Sequence, residues 1–322
     1  MANFKYNYIE QAFSVIKSKI VKTPLVTNDY INKLTENNVY FKLENFQITG
    51  SFKYRGALHK ILKLSELRKK KGVIAYSSGN HAQAVAYASN QNNINAKIIM
   101  PNNAPKIKIN NTKKYGAEVV LYDPNKEQRE TIGQNIALEE NRTLVKPYDD
   151  YDIIAGQGTV GLEIVDQLKE IKVVPNLYLC CCGGGGLIAG SSTYLKYAFP
   201  QISCYSVEPE GFEDTSRSLL SGKIESNTLG KKSICDALLA FQPGNLTFPI
   251  NKKNLDGGLV VKEEETKKSI ITIAENLKII IEPGGAVAAA AILSKKLNIK
   301  NKNIVVMLSG GNIDPDIFST LN

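Results

Sequence analysis

Several things are scarce in this chain. It has two histidines, five cysteines and no apolar run approaching the roughly 18 residues that a membrane helix needs. Its N-terminal stretch lacks the apolar core of a secretory leader, because Lys17, Lys19 and Lys22 interrupt it. No membrane partner and a cytoplasmic location are therefore expected. The odd cysteine count includes adjacent Cys180, Cys181 and Cys182. Neighbours in one strand do not bridge comfortably, and no cysteine spacing suits zinc. They read as small buried strand residues. Repeats, low-complexity tracts and flexible linkers are missing too. The net charge of +9 comes from scattered lysines, and the one dense cluster, Lys69-Lys70-Lys71, reads as a solvated helix end. No nucleic-acid partner is expected. A small anionic cofactor and substrate would account for part of the positive potential.

What is present is an ordinary globular composition, 43% hydrophobic and 22% charged over 322 residues, enough for two domains or one large α/β unit. Apolar residues Ile9, Phe13, Ile16 and Ile20 predict an opening helix, and 39–43 alternates as a strand. Strands are expected at 73–76, 97–100, 118–121 and 143–145, with helices near 80–91, 105–115 and 124–140 between them. The pattern resumes with a helix over 158–170, strands at 177–182, 203–207, 259–262 and 303–308, and helices near 263–276 and 285–296. Only 210–257 reads as loop-rich. Short strands alternating with helices imply parallel βαβ units. The expected architecture is α/β, with two open, mainly parallel twisted sheets and a ligand cleft between them. Residues 1–70 and 151–322 would form a large domain, and 71–150 a small mobile one.

The stretch Gln47-Ile48-Thr49-Gly50-Ser51-Phe52-Lys53-Tyr54-Arg55-Gly56-Ala57 sets Lys53 at the start of a helical pattern. Backbone dipoles there disfavour the ammonium, and a neutral amine is what Schiff-base chemistry requires. Gly183 to Gly186 follow an apolar strand and precede a helix, so bare backbone N–H groups can close around an oxyanion such as phosphate. Ser77-Ser78-Gly79-Asn80-His81 collects hydroxyls, an amide and free N–H groups at another strand end. Glu282-Pro283-Gly284-Gly285 and Ser309-Gly310-Gly311-Asn312 are further strand-end turns. A rival reading takes Gly184, Gly186 and Ala189, with the strand ending at Glu208, as a dinucleotide fingerprint, which would make a nicotinamide oxidoreductase. It leaves Lys53 and the other glycine turns unexplained.

Together these motifs, in order over nearly the whole chain, resemble the fold type II (tryptophan synthase β-type) pyridoxal-phosphate enzymes, in the serine/threonine dehydratase and serine racemase branch. The resemblance implies that Lys53 is the Schiff-base lysine, with Phe52 against the cofactor ring. It implies that Gly183, Gly184, Gly185, Gly186 and Leu187 hold the phosphate, that Asn80 meets the phenolic oxygen and that Ser309 meets the pyridine nitrogen. Ser77, Ser78, Asn80 and His81 would surround the substrate carboxylate. A serine at the pyridine nitrogen makes a weaker electron sink than an acidic residue, which suits prompt loss of a β-hydroxyl. The implied activity is dehydration of L-threonine or L-serine to a 2-oxo acid and ammonia, with Lys53 as base. Ser78 resembles the serine that carries a proton opposite the lysine in serine racemases, so racemisation of serine is an alternative. Arg129 matches a racemase-branch arginine able to face a second carboxylate, which makes 3-hydroxyaspartate another candidate. Ala240 departs from the serine of the racemase pattern. The run Glu208-Pro209-Glu210-Gly211-Phe212-Glu213-Asp214 resembles the racemase cation loop, implying Mg²⁺ or Ca²⁺ on Glu208, Asp214 and the Phe212 carbonyl. The expected assembly is a homodimer. The chain ends soon after Asn312, so feedback through an extra C-terminal regulatory domain is not expected.

Overall fold

A computed structural model describes residues 4–104, 106–228, 230–319 and 321. Ten strands form two sheets. They are β1 (Leu25–Val26), β2 (Asn38–Leu43), β3 (Val73–Tyr76), β4 (Ala96–Pro101) and β5 (Glu118–Tyr122). The others are β6 (Thr143–Leu144), β7 (Leu177–Cys181), β8 (Ser203–Pro209), β9 (Gly257–Val261) and β10 (Asn303–Leu308). One sheet has the order β1-β2-β10-β7-β8-β9 and the other β5-β4-β3-β6. Every pairing is parallel except β1 with β2. The expected α/β class with two mainly parallel sheets is therefore found.

The registers place the functional turns. Leu308 lies beside Leu43, so β2 and β10 end at the same edge, one feeding the Lys53 segment and the other Ser309. β7 is buried along its whole length and delivers the glycine run at that edge. In the smaller sheet, β3 ends at Tyr76 and opens directly into the Ser77–Gly79 turn. Ligands in open α/β sheets bind outside such carboxyl ends. Behind β7, β8 and β10 packs the Pro283–Leu293 helix, whose first ten residues are buried. Small alanines at 286 and 288–291 let it lie close to the sheet.

Helix boundaries differ from expectation for identifiable reasons. The helix expected from residue 158 spans Tyr151–Glu170, because the Asp150 carboxylate accepts from the Asp152 and Ile153 N–H groups and caps it. Its glycines are contact points and do not break it. A Cβ on Gly156 would lie 2.7 Å from the Gly56 Cα, and one on Gly161 would lie 2.7 Å from the Ser191 carbonyl oxygen. The opening helix stops at Ile16, short of Ile20. Residues 124–128 are turn, and that helix spans Arg129–Glu139. The helix expected over 105–115 spans Lys106–Lys114, and Pro105 lies outside the described residues. The loop-rich 210–257 contains two short helices, Asp214–Ser221 and Thr247–Asn254.

Under the Lys53 segment lies a buried ionic network. Arg55, fully buried, makes paired hydrogen bonds to Glu44 (2.7 and 2.7 Å) and to Glu163 (2.7 and 2.9 Å). Lys42, also fully buried, reaches Glu163 at 2.8 Å, the Thr23 carbonyl at 2.7 Å and the Gln167 side chain at 2.9 Å. Two cations thus meet two carboxylates, and the cluster ties β2, the Lys53–Leu62 helix and the Tyr151–Glu170 helix together.

Candidate active site

Lys53 is the first residue of its helix. The chain before it is pinned to the Ser309 turn. The Phe52 N–H donates to the Ser309 carbonyl at 3.1 Å, and the Gly311 N–H donates to the Gly50 carbonyl at 2.9 Å. The Lys53 ammonium donates to the Pro147 carbonyl at 2.8 Å. No carboxylate among the described residues is bonded to it, and burial pushes its pKa down to about 8 against the pull of Cys181 and Glu282. It opens into a cavity of about 230 Å³ lined from both sheets, which also holds Phe52, Ser77, Ser78, Asn80, His81, Arg129, Gly183 to Gly186, Leu187, Ala240 and Ser309. The structure thus brings together every expected residue except those of the acidic loop.

The glycine run is a cradle. Gly185 has φ +88°, and a Cβ there would lie 2.6 Å from the Asn251 side-chain nitrogen, so only glycine fits. Thr247 Oγ donates to the Gly184 carbonyl at 2.7 Å and Asn251 to the Gly185 carbonyl at 3.3 Å. With these carbonyls engaged, the first N–H groups of the Gly186–Ala198 helix have no acceptor within the helix and form its positive end. A phosphate fits that arrangement. The Tyr148 ring packs against Gly184, and the Tyr148 backbone and Cβ against Gly186.

On the facing wall, Asn80 and His81 begin the Asn80–Asn90 helix. The His81 Nε2–H donates to the Val145 carbonyl at 2.9 Å, leaving Nδ1 as a bare, buried acceptor. Burial and the nearby Lys53 hold its pKa down to about 3. A neutral ring with no free N–H cannot donate to a carboxylate, so anion binding here falls to backbone N–H groups and to the Ser77 and Ser78 hydroxyls. Asn80 donates to Glu282 at 2.6 Å and accepts from Asn312 at 2.7 Å. Arg129 stands over the Tyr76 ring at 5.6 Å and pairs with Glu130 at 2.8 Å.

Sequence reasoning missed several lining residues. Glu282 is 3% exposed, and burial with the charge of Asp236 pushes its carboxyl up to about 7. Gln157 is 1% exposed, and its carbonyl oxygen accepts from the Gly56 N–H at 3.1 Å. Its side-chain nitrogen is buried with no hydrogen-bond partner among the described residues. Cys181 is a buried free thiol on the cavity wall. Lys108, from the smaller sheet's helices, pairs with Asp236 across the mouth. The signal for Glu282 was its glycine turn, which follows the Glu263–Leu277 helix and an irregular stretch and not the expected strand end. Gln157 and Lys108 had none, because tertiary packing alone brings them in.

The acidic loop lies away from this cavity. Both Glu208 oxygens accept backbone N–H groups at the start of the Asp214–Ser221 helix, from Thr215 and Ser216, each at 2.8 Å. Asp214 Oδ1 accepts from Asn227 at 2.6 Å, while the buried Oδ2 has no partner among the described residues. Burial pushes Glu208 well above the usual carboxylate range and Asp214 up to about 7. The described residues contain no group of three or more His, Cys, Asp or Glu that could hold a metal. Glu208 does not line the cavity that holds the glycine run, so it cannot meet a ribose bound there, which removes the support for the dinucleotide reading.

A lysine of lowered pKa facing a glycine phosphate cradle, in a cleft between two mainly parallel sheets, defines an enzyme that works through a phosphorylated carbonyl cofactor. Residues 16–310 match the family described as pyridoxal-phosphate dependent enzyme. The chain belongs to that family, and its cofactor is pyridoxal phosphate. It is 41% identical over 317 residues to a serine racemase of Dictyostelium discoideum, covering 98% of this chain and 96% of that one. The crystal structure of serine racemase from that organism superposes with a TM-score of 0.90 at 40% identity, over 96% of this chain and 99% of that one. An L-threo-3-hydroxyaspartate ammonia-lyase of Saccharomyces cerevisiae is 38% identical, covering 98% of this chain and 95% of its own length. A catabolic L-threonine dehydratase of Staphylococcus aureus is 40% identical, covering 95% and 88%. Among the described residues no helix is long and apolar enough to cross a membrane.

Proposed function

We propose that the chain is an ammonia-lyase that removes water from a β-hydroxy amino acid, L-threonine or L-serine, giving a 2-oxo acid and ammonia. The observation that carries this is Lys53, a half-buried lysine with no bonded carboxylate among the described residues, poised beside the Gly183–Gly186 cradle and the neutral Ser309 hydroxyl. Bound pyridoxal phosphate supplies an electron sink for the substrate's Cα–H bond. Gly183 to Gly186 and Leu187 would hold its phosphate, Phe52 would pack on its ring, and Asn80 and Ser309 would meet its phenolic oxygen and ring nitrogen. Lys53, neutral in part near pH 7, takes the Cα proton. Ser77, Ser78 and the N–H groups that open the Asn80–Asn90 helix orient the substrate carboxylate. Residues 71–150, which carry β3 to β6, form the mobile small domain, so that substrate binding at Ser77–His81 draws the cleft shut. The enzyme acts in the cytoplasm as a homodimer.

A second substrate reading rests on Arg129. It lines the cavity with Glu130 as its one paired carboxylate among the described residues, so a distal carboxylate of 3-hydroxyaspartate has a cation to meet. Steady-state kinetics on L-threonine, L-serine and both configurations of 3-hydroxyaspartate, with 2-oxo acid as product, test both readings. No 2-oxo acid from any of them sinks the lyase assignment. Arg129→Ala should cost 3-hydroxyaspartate turnover on the order of a hundredfold and threonine turnover little. Ser78→Ala tests racemisation, which needs a second proton carrier besides Lys53. Loss of D-serine formation with much of the L-dehydratase activity retained supports that role.

Glu208, Asp214 and the Phe212 carbonyl fit a divalent cation in donor chemistry. Two buried carboxylates, one with an unpartnered oxygen, are relieved by a hard cation with oxygen preference. The cation would brace the loop leading from β8 into the Asp214–Ser221 helix. Chelation should then lower the thermal midpoint, with Mg²⁺ or Ca²⁺ restoring it. Indifference to chelator, with Asp214→Ala as stable as wild type, would leave an ordinary acidic turn.

A further inference from the structure

The amide of Asn80 is held from both sides by groups that leave it one orientation. Asn312 sits in the turn after β10, and its side-chain nitrogen donates to the Thr49 carbonyl at 2.8 Å. A backbone carbonyl only accepts, so this contact identifies which end of the Asn312 amide is nitrogen. The same nitrogen donates its second proton to Asn80 Oδ1 at 2.7 Å. Asn80 must therefore turn its oxygen toward Asn312 and its nitrogen the other way, where it meets Glu282 Oε1 at 2.6 Å. The hydrogen bonds diverge from the Asn312 amide nitrogen, one to the Thr49 carbonyl and the other into a relay through the Asn80 amide to the Glu282 carboxyl. Asn80 and Glu282 are 8% and 3% exposed, so water does not offer either group an alternative. Each Asn80 N–H can make one bond. The first is spent on Glu282, and the second is left for the cavity that Asn80 lines.

From this geometry we infer that Asn312 and Glu282 are positioning residues for cofactor binding, fixing Asn80 as a hydrogen-bond donor toward the cavity. The inference rests on the proposed contact between Asn80 and the phenolic oxygen of pyridoxal phosphate. That oxygen carries negative charge at the ring's edge, so a reversed amide would set oxygen against oxygen. Amides reverse at little cost when their neighbours both donate and accept. Here the Thr49 carbonyl, which can only accept, removes that freedom at one end, and the Glu282 oxygen that accepts from Asn80 agrees with it at the other.

A double-mutant cycle on the holoenzyme tests it, reading the visible spectrum of the bound cofactor and the rate at which it is released on dilution. Asn312→Asp replaces the donor with an acceptor of equal size, and Asn312→Ala removes the donor without adding charge. Both should shift the cofactor's absorbance and weaken its retention about tenfold, the worth of one well-placed hydrogen bond to a charged group. Asn80→Ala should do the same. In the Asn80→Ala background, either change at Asn312 should have little further effect, because Asn312 acts through Asn80. Glu282→Leu should follow the same rule. Wild-type spectrum and retention in the Asn312 variants would overturn the proposal, as would losses that add fully to that of Asn80→Ala. Wild-type protein that takes up no pyridoxal phosphate would overturn both the proposal and the functional reading beneath it. Uptake with additive losses would overturn the relay alone.

Discussion

Lys42 and Lys53 stand 11 residues apart, and in both burial pushes the pKa below the ordinary lysine value. Their partners differ. Lys42 has Glu163 at 2.8 Å and belongs to a cluster with Arg55 and Glu44 whose charges cancel. Lys53 has a backbone carbonyl. At Lys42 the surrounding carboxylates oppose the desolvation and favour the ammonium, whereas at Lys53 the opposing charges of Cys181 and Glu282 leave it near 8. The chain thus uses a fully satisfied ionic cluster to hold a helix in place, and presents an undersatisfied amine from that same helix. Reactivity comes from withholding a partner, and rigidity from supplying all of them.

The largest effect should come from Lys53→Ala. Loss of the base and cofactor anchor should abolish lyase turnover by a factor on the order of a thousand or more. The thermal midpoint of the cofactor-free protein should stay within a few degrees of wild type, since no ion pair is broken. A variant that keeps measurable turnover would place the chemistry elsewhere. Lys42→Met should invert that pattern. It leaves Glu163 with Arg55 but uncancels the cluster, and breaking a buried pair costs about 3–5 kcal/mol. Denaturant unfolding should register that loss, while folded protein should retain kcat. Lys42→Met with wild-type stability and impaired kcat would mean that the roles of the two lysines have been confused.

A third test concerns titration. With Lys53 near 8, about one chain in ten carries the neutral amine at pH 7. Attachment of pyridoxal phosphate to the cofactor-free protein needs that neutral form. Its rate should rise roughly tenfold from pH 7 and level off above about pH 9. A rate still climbing tenfold per pH unit at 9 would indicate an ordinary lysine. The sign follows from burial favouring the neutral amine, so deprotonation comes early.

Much of the fold was legible in the sequence because β3, β4, β7, β8 and β10 are short apolar runs bounded by turn residues, the pattern that parallel pairing produces. Site motifs were legible for a related reason. The Ser77–His81 turn, the glycine run and Ser309 each lie immediately after a strand, so reading the strand ends located them. Lys53, ten residues beyond β2, was marked instead by its Thr49-Gly50-Ser51 turn at the start of a helix. What resisted reading depends on side chains meeting across long separations. The buried Lys42, Arg55, Glu44 and Glu163 look like solvated charges in sequence, because nothing local distinguishes a charge that will find a buried partner 121 residues away. The glycines of the Tyr151–Glu170 helix carry no sign in sequence that they mark close approach to other backbone. Two-residue β1 falls below any periodic signal.

Gln157 sharpens the comparison of satisfied and unsatisfied groups at the smallest scale. Its oxygen is committed to the Gly56 N–H at 3.1 Å, in the helix that carries Lys53, which fixes the amide with its nitrogen as the free end. That nitrogen is buried without a partner among the described residues, in a side chain lining the cavity. Leaving a buried donor unmade costs about 1–3 kcal/mol, a cost recovered when an anionic oxygen arrives. Gln157→Leu should therefore raise KM several-fold, about 1 kcal/mol of binding, while leaving the folded protein as stable as wild type or more so. Gln157→Glu keeps the shape but sets an acceptor against the incoming anion, and should raise KM further than the leucine does. If both variants lose stability and keep wild-type KM, Gln157 only braces the helix through Gly56. A rise in KM ordered glutamate above leucine above wild type would make it a donor reserved for the ligand.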